Sequence, residues 1–484
     1  MSRWSERALW GAGWLSLLNL LALLAWWWPC GTFEGHTSGV WATLAADLSR
    51  GQLYRPLLAQ DGWGGTRYMP AFFACHAAML GCVGEVVLSG LVTMIVSALA
   101  AWLGLWQLLR MQGQGRMALP LSWLIFGSIA SERVLLQLRC DYLATAWVAW
   151  TLVAFQAYLA RPSTPRLCWV AALASAAFFT KFTSLYVLGF CLAWLLWQRK
   201  LRQAALLGLL ASSLTVSGLG LVQWLSKGAF LENFRATATG EMSLANWWFL
   251  YRDLTVEDPL FLLMLILGLV GLKPAGPGYE TWLLALVLGV TGFIYVSDGI
   301  WINHFLDPLL CLVLVLGRAL LRNPRAALPL GLVLSLAHLV PWVPGGPNVR
   351  RALAWPGIPQ AGEIRQWTRE LLPTDRPYFC EDNIVALLHG SRPFALDEFT
   401  LRNFQRRRTP VGIDFETRVA RGDFAFVVLP SGPLGKQGPE PLPLTRVREV
   451  RFWNYQVSEF LLFRRNYRVV AVHRPFAVLR RIEP

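Results

Sequence analysis

Charged residues are scarce in this sequence. Of its 484 residues only 15% are Asp, Glu, Lys or Arg, whereas 55% are hydrophobic, and the mean hydropathy is +0.43. Soluble domains average about 25% charged residues, so this chain cannot cover an aqueous surface, and a purely soluble enzyme is excluded. An intrinsically disordered chain is excluded as well, because disorder requires low hydrophobicity. The composition predicts a polytopic membrane protein.

Acidic residues are fewer than basic ones. There are 29 Asp and Glu against 44 Lys and Arg, which gives a net charge of +15. A nucleic-acid surface needs clustered basic residues interleaved with aromatic ones, and the sequence offers only short basic runs such as Arg406-Arg407-Arg408. Because the cytoplasmic loops of membrane proteins collect Lys and Arg, the excess fits a membrane protein, and no nucleic-acid partner is predicted.

Several catalytic signatures are absent. The sequence has no GxxxxGK[ST] phosphate loop, no GxGxxG on a strand–helix unit and no GxSxG elbow, so a cytosolic nucleotide-driven enzyme is excluded. None of the eight cysteines has CxxC spacing, and they are interpreted as buried hydrophobes. No HExxH motif supports a metal site. His36, His304 and the outer acids leave a divalent metal as the one cofactor still open.

Apolar runs recur up to about residue 341, and they predict membrane spans. Several are shorter than the ~20 residues that cross a bilayer, so tilted helices are expected. Residues 167–197 form either two short helices that meet at Lys181 or one long helix, and Met69–Gly84 is interpreted as a half-helix on the outer side. The eleven predicted spans are Ala8–Trp28, Val86–Leu109, Met117–Ala130, Tyr142–Leu159, Leu167–Thr180, Phe182–Trp197, Ala204–Leu225, Pro259–Leu272, Thr281–Val296, Phe305–Leu321 and Ala326–Leu339.

The charges between the spans predict the topology. With the N-terminus in the cytoplasm, most loop Lys and Arg fall on the cytoplasmic side, as the positive-inside rule requires, and nearly all Asp and Glu fall on the other side. Residues 1–341 are thus predicted to be a polytopic transmembrane catalytic domain with an amphipathic first outer loop, residues 31–84. Within this loop, Thr37–Ser49 is expected to lie flat in the membrane interface.

A linker rich in Pro and Gly follows the last span. The remaining chain is polar enough for a soluble domain, so the predicted fold is an all-α membrane domain of about 11 transmembrane helices followed by a small extracytoplasmic α/β domain, residues 342–484. The expected elements of this small domain are helices at Glu363–Leu372 and Asp382–Leu388 and strands at Phe424–Leu429, Arg468–Val472 and Phe476–Arg480.

Two carboxylates are the candidate catalytic groups. Glu34 follows the first span near the membrane surface, where a carboxylate can take a proton from an incoming hydroxyl. General-base help of this kind contributes roughly 10²–10⁴-fold. Asp141 lies at the start of another span, two residues after Arg139. The alternatives are an ordinary loop acid for Glu34 and a local ion pair for Asp141.

Polar side chains beside apolar runs are the candidate binding groups. Lys181 lies amid apolar residues, where a lysine needs a phosphate or carboxylate partner; snorkelling to the interface is the alternative. Arg139 offers a planar fork that suits phosphate oxygens. Asn303 and His304 precede a span and can line the roof of a cavity, although a lone histidine is more often structural.

The order of these motifs resembles that of GT-C glycosyltransferases that use polyprenyl-phosphate sugars, the protein O-mannosyltransferase-like and aminoarabinose-transferase-like enzymes. The resemblance runs from the first span to about residue 321 and, more loosely, into the tail. The residues that carry it are Phe33-Glu34-Gly35, Tyr68-Met69-Pro70, Arg139-Cys140-Asp141, Thr180-Lys181-Phe182-Thr183 and Asn303-His304-Phe305-Leu306-Asp307.

The resemblance implies transfer of a sugar, with inversion, from a polyprenyl-phosphate donor to a hydroxyl or phosphate of a lipid or glycan acceptor. It implies a multi-pass protein of the bacterial inner membrane that acts on the extracytoplasmic face. The alternative function is a multi-pass lipid or solute transporter or flippase, although no internal repeat is found. The implied roles are catalysis by Glu34 and Asp141, binding of the donor phosphate by Arg139, Lys181, Arg235 and Arg252, and binding of substrate by His36, Tyr54, Arg67, Tyr68, Asn303 and His304.

Overall fold

Helices form most of the structure, as the apolar runs predict. The computed structural model describes residues 2–27, 36–237, 242–272, 278–297, 302–340, 361–372, 377–430, 466–473 and 476–482. A helical membrane domain is followed by a small domain that contains a four-stranded sheet. This confirms the predicted fold class.

Within the described residues, every predicted span contains a helix. Five helices are long and apolar enough to cross a membrane, and further apolar helices are shorter. The elements of the membrane domain and its loops are α1 (Arg3–Trp27), α2 (His36–Ser49), β1 (Leu58–Ala59), β2 (Gly62–Trp63), α3 (Pro70–Val83), α4 (Val86–Met111), α5 (Ala118–Trp123), α6 (Ile129–Leu135), α7 (Asp141–Ala160), α8 (Thr164–Thr180), α9 (Tyr186–Trp197), α10 (Leu201–Leu225), α11 (Ala229–Thr237), α12 (Trp247–Arg252), α13 (Pro259–Leu272), α14 (Tyr279–Ile294), α15 (Leu306–Arg322) and α16 (Ala327–Leu339).

The third predicted span is the least regular. A short 3₁₀ turn, Leu124–Phe126, follows α5, and α6 begins just after Gly127. The ring of buried His338, on α16, fills the space beside this break, because a Cβ on Gly127 would lie 1.8 Å from its Nε2. The span is therefore built from two short helices, which accounts for its short apolar run.

The C-terminal domain has more elements than the sequence predicted. Both predicted helices and all three predicted strands are present, with ends shifted by about two residues. A short strand and two helices were missed. The elements are α17 (Ala361–Leu371), β3 (Tyr378–Cys380), α18 (Asn383–His389), α19 (Glu398–Arg406), α20 (Pro410–Arg421), β4 (Phe426–Pro430), β5 (Tyr467–His473) and β6 (Phe476–Arg481). The sheet order is β3-β4-β6-β5, with β3 and β4 parallel and the other pairs antiparallel.

Helix α2 is buried instead of lying flat in the interface. Residues 40–46 are all buried, since α3 packs against α2 from one side and α18 from another. Gly39 approaches Asn383 so closely that a Cβ on the glycine would lie 2.9 Å from the asparagine Cβ. The helix was predicted correctly, but its interfacial position was wrong, because the C-terminal domain covers the face that local periodicity assigned to water.

Helix α3 is the predicted half-helix. It follows Met69 and ends at Gly84, whose φ of 77° turns the chain back. The Glu85 side chain then caps α4 by accepting a hydrogen bond from the Leu88 N–H at 2.5 Å. Because α3 packs beside both α2 and α4, the first loop and the membrane helices form one packed unit.

Trp63 of the first loop belongs to the core of the C-terminal domain. Its side chain is 1% exposed and contacts Phe394 and Phe415 edge to face, with ring centroids 4.6 and 5.7 Å away. Its N–H donates to the Phe394 carbonyl at 2.8 Å, and its carbonyl accepts from the Leu396 N–H at 3.1 Å. Its indole N–H donates to Asp414, 351 positions later, at 3.0 Å. The first loop thus supplies a core residue to the other end of the chain.

An ion cluster built around the buried Arg55–Asp47 pair ties the same two parts together. Arg55 donates to Asp47 at 2.5 Å, and these side chains are 2% and 3% exposed. Arg392 of the C-terminal domain bonds Asp47 at 3.1 Å and Asp61 at 2.7 Å. Arg55 also donates to the Pro393 carbonyl at 2.6 Å. Because removing one partner leaves a buried charge uncompensated, this cluster fixes how the domain sits on the loop.

Replacing Trp63 with alanine is expected to loosen the C-terminal domain. Truncation of a buried tryptophan costs about 3–5 kcal/mol of unfolding free energy. The substitution also removes the hydrogen bond from the indole to Asp414. Limited proteolysis of the full-length protein in detergent should cut the domain faster in Trp63→Ala. The matched control is Trp169→Ala, because Trp169 is 64% exposed. Equal cleavage rates of the two variants would contradict the proposed contribution of Trp63.

Candidate active site

Three separate segments meet at Asp141. Its carboxylate oxygen Oδ1 accepts a hydrogen bond from Lys181 Nζ at 2.6 Å and another from Asn303 Nδ2 at 2.8 Å. The Asp141 side chain is 3% exposed and the Lys181 side chain 14%. The bonds span 40 and 162 positions of sequence. The structure therefore brings three of the predicted site residues together in one place.

Lys181 reaches this place because the chain breaks there. Helix α8 ends at Thr180, Lys181 takes an extended conformation with φ −148° and ψ 114°, and a 3₁₀ turn, Phe182–Leu185, starts immediately afterwards. The two-helix interpretation of this stretch is thus confirmed. Asp141 begins α7 on the other side of the pair, where the positive end of the helix dipole favours a carboxylate.

A second carboxylate lies beside the pair. Asp307, in the first turn of α15, accepts a hydrogen bond from the hydroxyl of Thr145, and it also interacts electrostatically with Tyr186 and Lys181. The Lys181 ammonium thus forms its ion pair with Asp141 and also feels the negative charge of Asp307. A buried carboxylate requires hydrogen-bond donors, and Thr145 supplies one to Asp307.

Basic side chains surround Asp141. Asp141 interacts electrostatically with Arg139 and His304 as well as Lys181, and His304 interacts with Arg67. Arg139 donates to Thr37 Oγ1 of α2 at 3.4 Å. Positive charge from the first loop, from the start of α7 and from the break after α8 is therefore concentrated at one point, as an anionic ligand requires.

Two tyrosines join this point to the first loop. Tyr54 donates its hydroxyl hydrogen bond to the Tyr68 carbonyl at 2.8 Å, and the Tyr68 ring stacks on Trp41 with centroids 4.4 Å apart. Burial raises the pKa of the Tyr68 phenol above its ordinary value. The phenol thus stays protonated and can donate a hydrogen bond. Tyr68 also interacts electrostatically with Arg139 and with Asp397 of the C-terminal domain.

Asp397 belongs to a group of four acids in that domain. Asp397 caps α19 by accepting from the Phe399 N–H at 3.1 Å, and Asp382 caps α18. Burial raises the pKa of Asp382 to about 6. Burial, together with Asp397, Asp382 and Glu381, raises the pKa of Glu398 well above its ordinary value. Asp382 and Glu398 are therefore more readily protonated in the folded domain than in the unfolded chain.

The stability of the domain is expected to depend on the protonation of Asp382. Its folded pKa of about 6 lies above the unfolded value of ~3.9, so the protonated form favours folding, and this stability is lost as the pH rises from about 4 through 6. Asp382→Asn removes the charge and keeps a good capping residue. The thermal unfolding midpoint of Asp382→Asn should equal that of the wild type at pH 4 and exceed it at pH 7. Equal midpoints at both pH values would contradict the prediction.

Two predicted phosphate ligands lie elsewhere. Arg252 pairs with Asp253 at 3.0 Å, and the other Asp253 oxygen accepts from Tyr295 at 2.9 Å. Arg235 is exposed near the end of α11. Within the part of the chain that the structure describes, neither arginine contacts Asp141 or Lys181. Their assignment to the donor phosphate stays a prediction, and the observed geometry supports Arg139 and Lys181 more directly.

Two predicted residues of the first loop cannot be placed. Glu34 lies outside the described residues. His36 begins α2, but its side chain is outside the described part. The roles of Glu34 and His36 therefore stay predictions from sequence.

The sequence analysis assigned no role to Asp307. Asp307 was noted within its motif, but its partners Thr145 and Tyr186 were not singled out. Thr145 was detectable in principle, because it follows Asp141 by four positions and so lies on the same face of α7. The contact of Tyr186 depends on the path of the chain after Lys181, which no local pattern reveals.

Comparison with known proteins gives a match in fold. No protein-family model and no curated protein matches the sequence. The solved structure of ArnT from Cupriavidus metallidurans bound to undecaprenyl phosphate matches with a TM-score of 0.59 at 12% identity, over 96% of this chain and 98% of that chain. The apo structure of the same ArnT matches with a TM-score of 0.63 at 13% identity, over 96% and 97%. The chain therefore has the fold of ArnT along nearly its whole length.

Proposed function

We propose that the protein is an integral-membrane glycosyltransferase of the GT-C type. It moves a sugar from a polyprenyl-phosphate donor to a hydroxyl or phosphate of a lipid or glycan acceptor. The reaction takes place on the face that carries the C-terminal domain, which in this proposal is the extracytoplasmic face of a bacterial inner membrane.

The observation that carries the proposal is the convergence at Asp141. Motifs that are far apart in sequence bring Asp141, Lys181 and Asn303 within hydrogen-bond distance, with Arg139 and His304 beside them. The similar ArnT structure was solved with undecaprenyl phosphate, which is a lipid phosphate of the class that such a basic group suits. Fold and local chemistry thus support the same donor class.

The proposed reaction is a single displacement. The acceptor oxygen forms a bond to the anomeric carbon while the bond from that carbon to the donor phosphate oxygen breaks, so the configuration inverts. The proton of an acceptor hydroxyl passes to a carboxylate base, for which Glu34 is the first candidate and Asp141 the second. The electron pair of the broken bond stays on the polyprenyl phosphate, which leaves as an anion.

Fixed positive charge is the main catalytic contribution in this proposal. Lys181 and Arg139 face the phosphate as its negative charge grows, and groups oriented in advance need no rearrangement during the reaction. Asp141 holds the Lys181 ammonium in position through a hydrogen bond, and Asp307 adds a second negative charge that acts on it. Because a phosphate leaving group departs readily, the reaction requires no nucleotide. The proposal neither requires nor excludes a divalent metal.

The test is a transfer assay with the purified protein in lipid nanodiscs. A panel of polyprenyl-phosphate donors with radiolabelled sugars is supplied together with lipid and glycan extracts as acceptors. Release of polyprenyl phosphate together with labelled acceptor supports the proposal. The alternative, a transporter or flippase, predicts that donor placed in proteoliposomes crosses the bilayer without cleavage, and that result would overturn the proposal.

A further inference from the structure

A cleft separate from the Asp141 group opens where the first loop meets the end of α10. It has a volume of about 600 Å³ and lies between the turn 51–56 and the junction 225–232 of α10 and α11. Its lining includes Gln52, Tyr54, Lys227 and Glu232. Asn233 of α11 donates to the Arg55 carbonyl at 2.7 Å, so the two walls are held together and the cleft is a fixed feature.

Aromatic rings separate this cleft from the candidate active site. Tyr54 contacts Phe230 with centroids 5.4 Å apart, Phe230 contacts Phe234 at 6.0 Å, and Phe234 contacts Phe182, the neighbour of Lys181, at 6.2 Å. A ligand in the cleft therefore lies behind a layer of rings and does not touch the Asp141–Lys181 pair. A ligand of this cleft is therefore distinct from the phosphate of the donor.

The turn between α10 and α11 forms one wall of the cleft, and the Gln223 side chain makes hydrogen bonds to its backbone. The Gln223 side chain donates to the Gly228 carbonyl at 3.2 Å and accepts from the Leu231 N–H at 3.0 Å. Lys227 and Gly228 have φ values of 52° and 94°, which make the turn tight. The side chains of Lys227 and Glu232 remain exposed, and within the described residues neither forms an ion pair. The cleft thus presents one cation and one anion.

An apolar strip connects the cleft with the lipid-facing surface. Helix α10 is the least buried of the five long apolar helices. Near its end Leu221, Trp224 and Leu225 are all more than half exposed, and Leu225 also lines the cleft. Exposed tryptophan at the end of a span is typical of the level of lipid head groups. Hydrocarbon chains can therefore run along α10 while a polar head enters the cleft.

We propose that this cleft binds the head group of a zwitterionic phospholipid. The phosphate contacts Lys227, the ammonium contacts Glu232, and the acyl chains follow Leu221, Trp224 and Leu225. One charge of each sign suits a head group with one charge of each sign, whereas Glu232 repels a purely anionic head group. Exposed ion pairs are weak, so the preference over an anionic lipid is expected to be about three- to fivefold.

The test uses the full-length protein in nanodiscs that contain equal amounts of phosphatidylethanolamine and phosphatidylglycerol. Either lipid carries a photoactivatable diazirine in its acyl chain, and cross-linked peptides are identified by mass spectrometry. Phosphatidylethanolamine should label the end of α10 in excess of phosphatidylglycerol. Glu232→Lys should reverse this preference, Lys227→Glu should reduce labelling by both lipids, and the double variant Lys227→Glu/Glu232→Lys should restore the preference for phosphatidylethanolamine.

The control variant is Arg202→Glu, at the opposite end of the same helix, which should label as the wild type does. Preferential labelling by phosphatidylglycerol in the wild type would overturn the proposal. Labelling that is the same in Glu232→Lys and Lys227→Glu as in the wild type would overturn it as well. The cross-linking readout does not depend on sugar transfer, so its result tests lipid binding independently of the proposed function.

Discussion

Replacing Lys181 with methionine is expected to lower the rate of sugar transfer about 10²–10³-fold, the loss typical when one fixed group that stabilises transition-state charge is removed. Methionine keeps the length of the side chain and removes only the ammonium. Lys200→Met, at the start of α10 and away from Asp141, is the matched control and should keep full activity. The measurement is initial transfer rate in the nanodisc assay.

A structural effect of the same substitution must be separated from the catalytic one. Without Lys181, the 3%-exposed Asp141 loses its counter-ion, and breaking a buried pair costs about 3–5 kcal/mol. The double variant Lys181→Met/Asp141→Asn removes both charges of the ion pair, so its thermal midpoint should recover in part while its transfer stays low; Asp307 still lacks the nearby lysine charge. Full transfer by Lys181→Met would refute the assignment of this lysine to the donor phosphate.

Glu34→Gln is expected to reduce the rate constant of transfer roughly 10²–10⁴-fold, the usual contribution of a general base. The amide is isosteric but cannot take the acceptor proton. Since the cations that face the phosphate are unchanged, the KM for the donor should stay close to the wild-type value. Glu6→Gln, at the other end of the first span, is the control.

The two candidate bases give different outcomes. Loss of transfer in Glu34→Gln but not in Asp141→Asn identifies Glu34 as the base, and the reverse result moves the role to Asp141. If both variants transfer at the full rate, the proposed site is wrong. Because Lys181 and Asn303 both donate to one oxygen of Asp141, Asp141→Asn should also lower the thermal midpoint, which Glu34→Gln should not.

The membrane helices were predictable because their signal is local. A bilayer requires long apolar stretches, and each predicted span contains a helix. The break at Lys181 was one of two alternatives that the sequence left open, whereas the need of this lysine for a partner was predicted, because it lies amid apolar residues. The partner itself could be foreseen only as a class, a carboxylate or a phosphate, because the distance between Lys181 and Asp141 depends on how α7 and α8 pack.

The burial of α2 and the role of Trp63 could not be predicted. Local periodicity describes one helix at a time, whereas the partner of α2 is α18, far along the chain. Trp63 lies in a loop with Gly62 and Gly64 on either side, a pattern that indicates a turn. Its real position follows from pairing with the Phe394 region. Helices α19 and α20 were missed because their apolar residues are few and the segment around them is polar.

The insertion of Trp63 into the C-terminal domain has a consequence for biosynthesis. The first loop emerges early during translation, whereas Phe394 and Phe415 follow Trp63 by more than 300 residues, so the indole cannot be buried until that later segment has been synthesised. A product truncated before residue 394 lacks these rings, so its Trp63 has no aromatic core to enter.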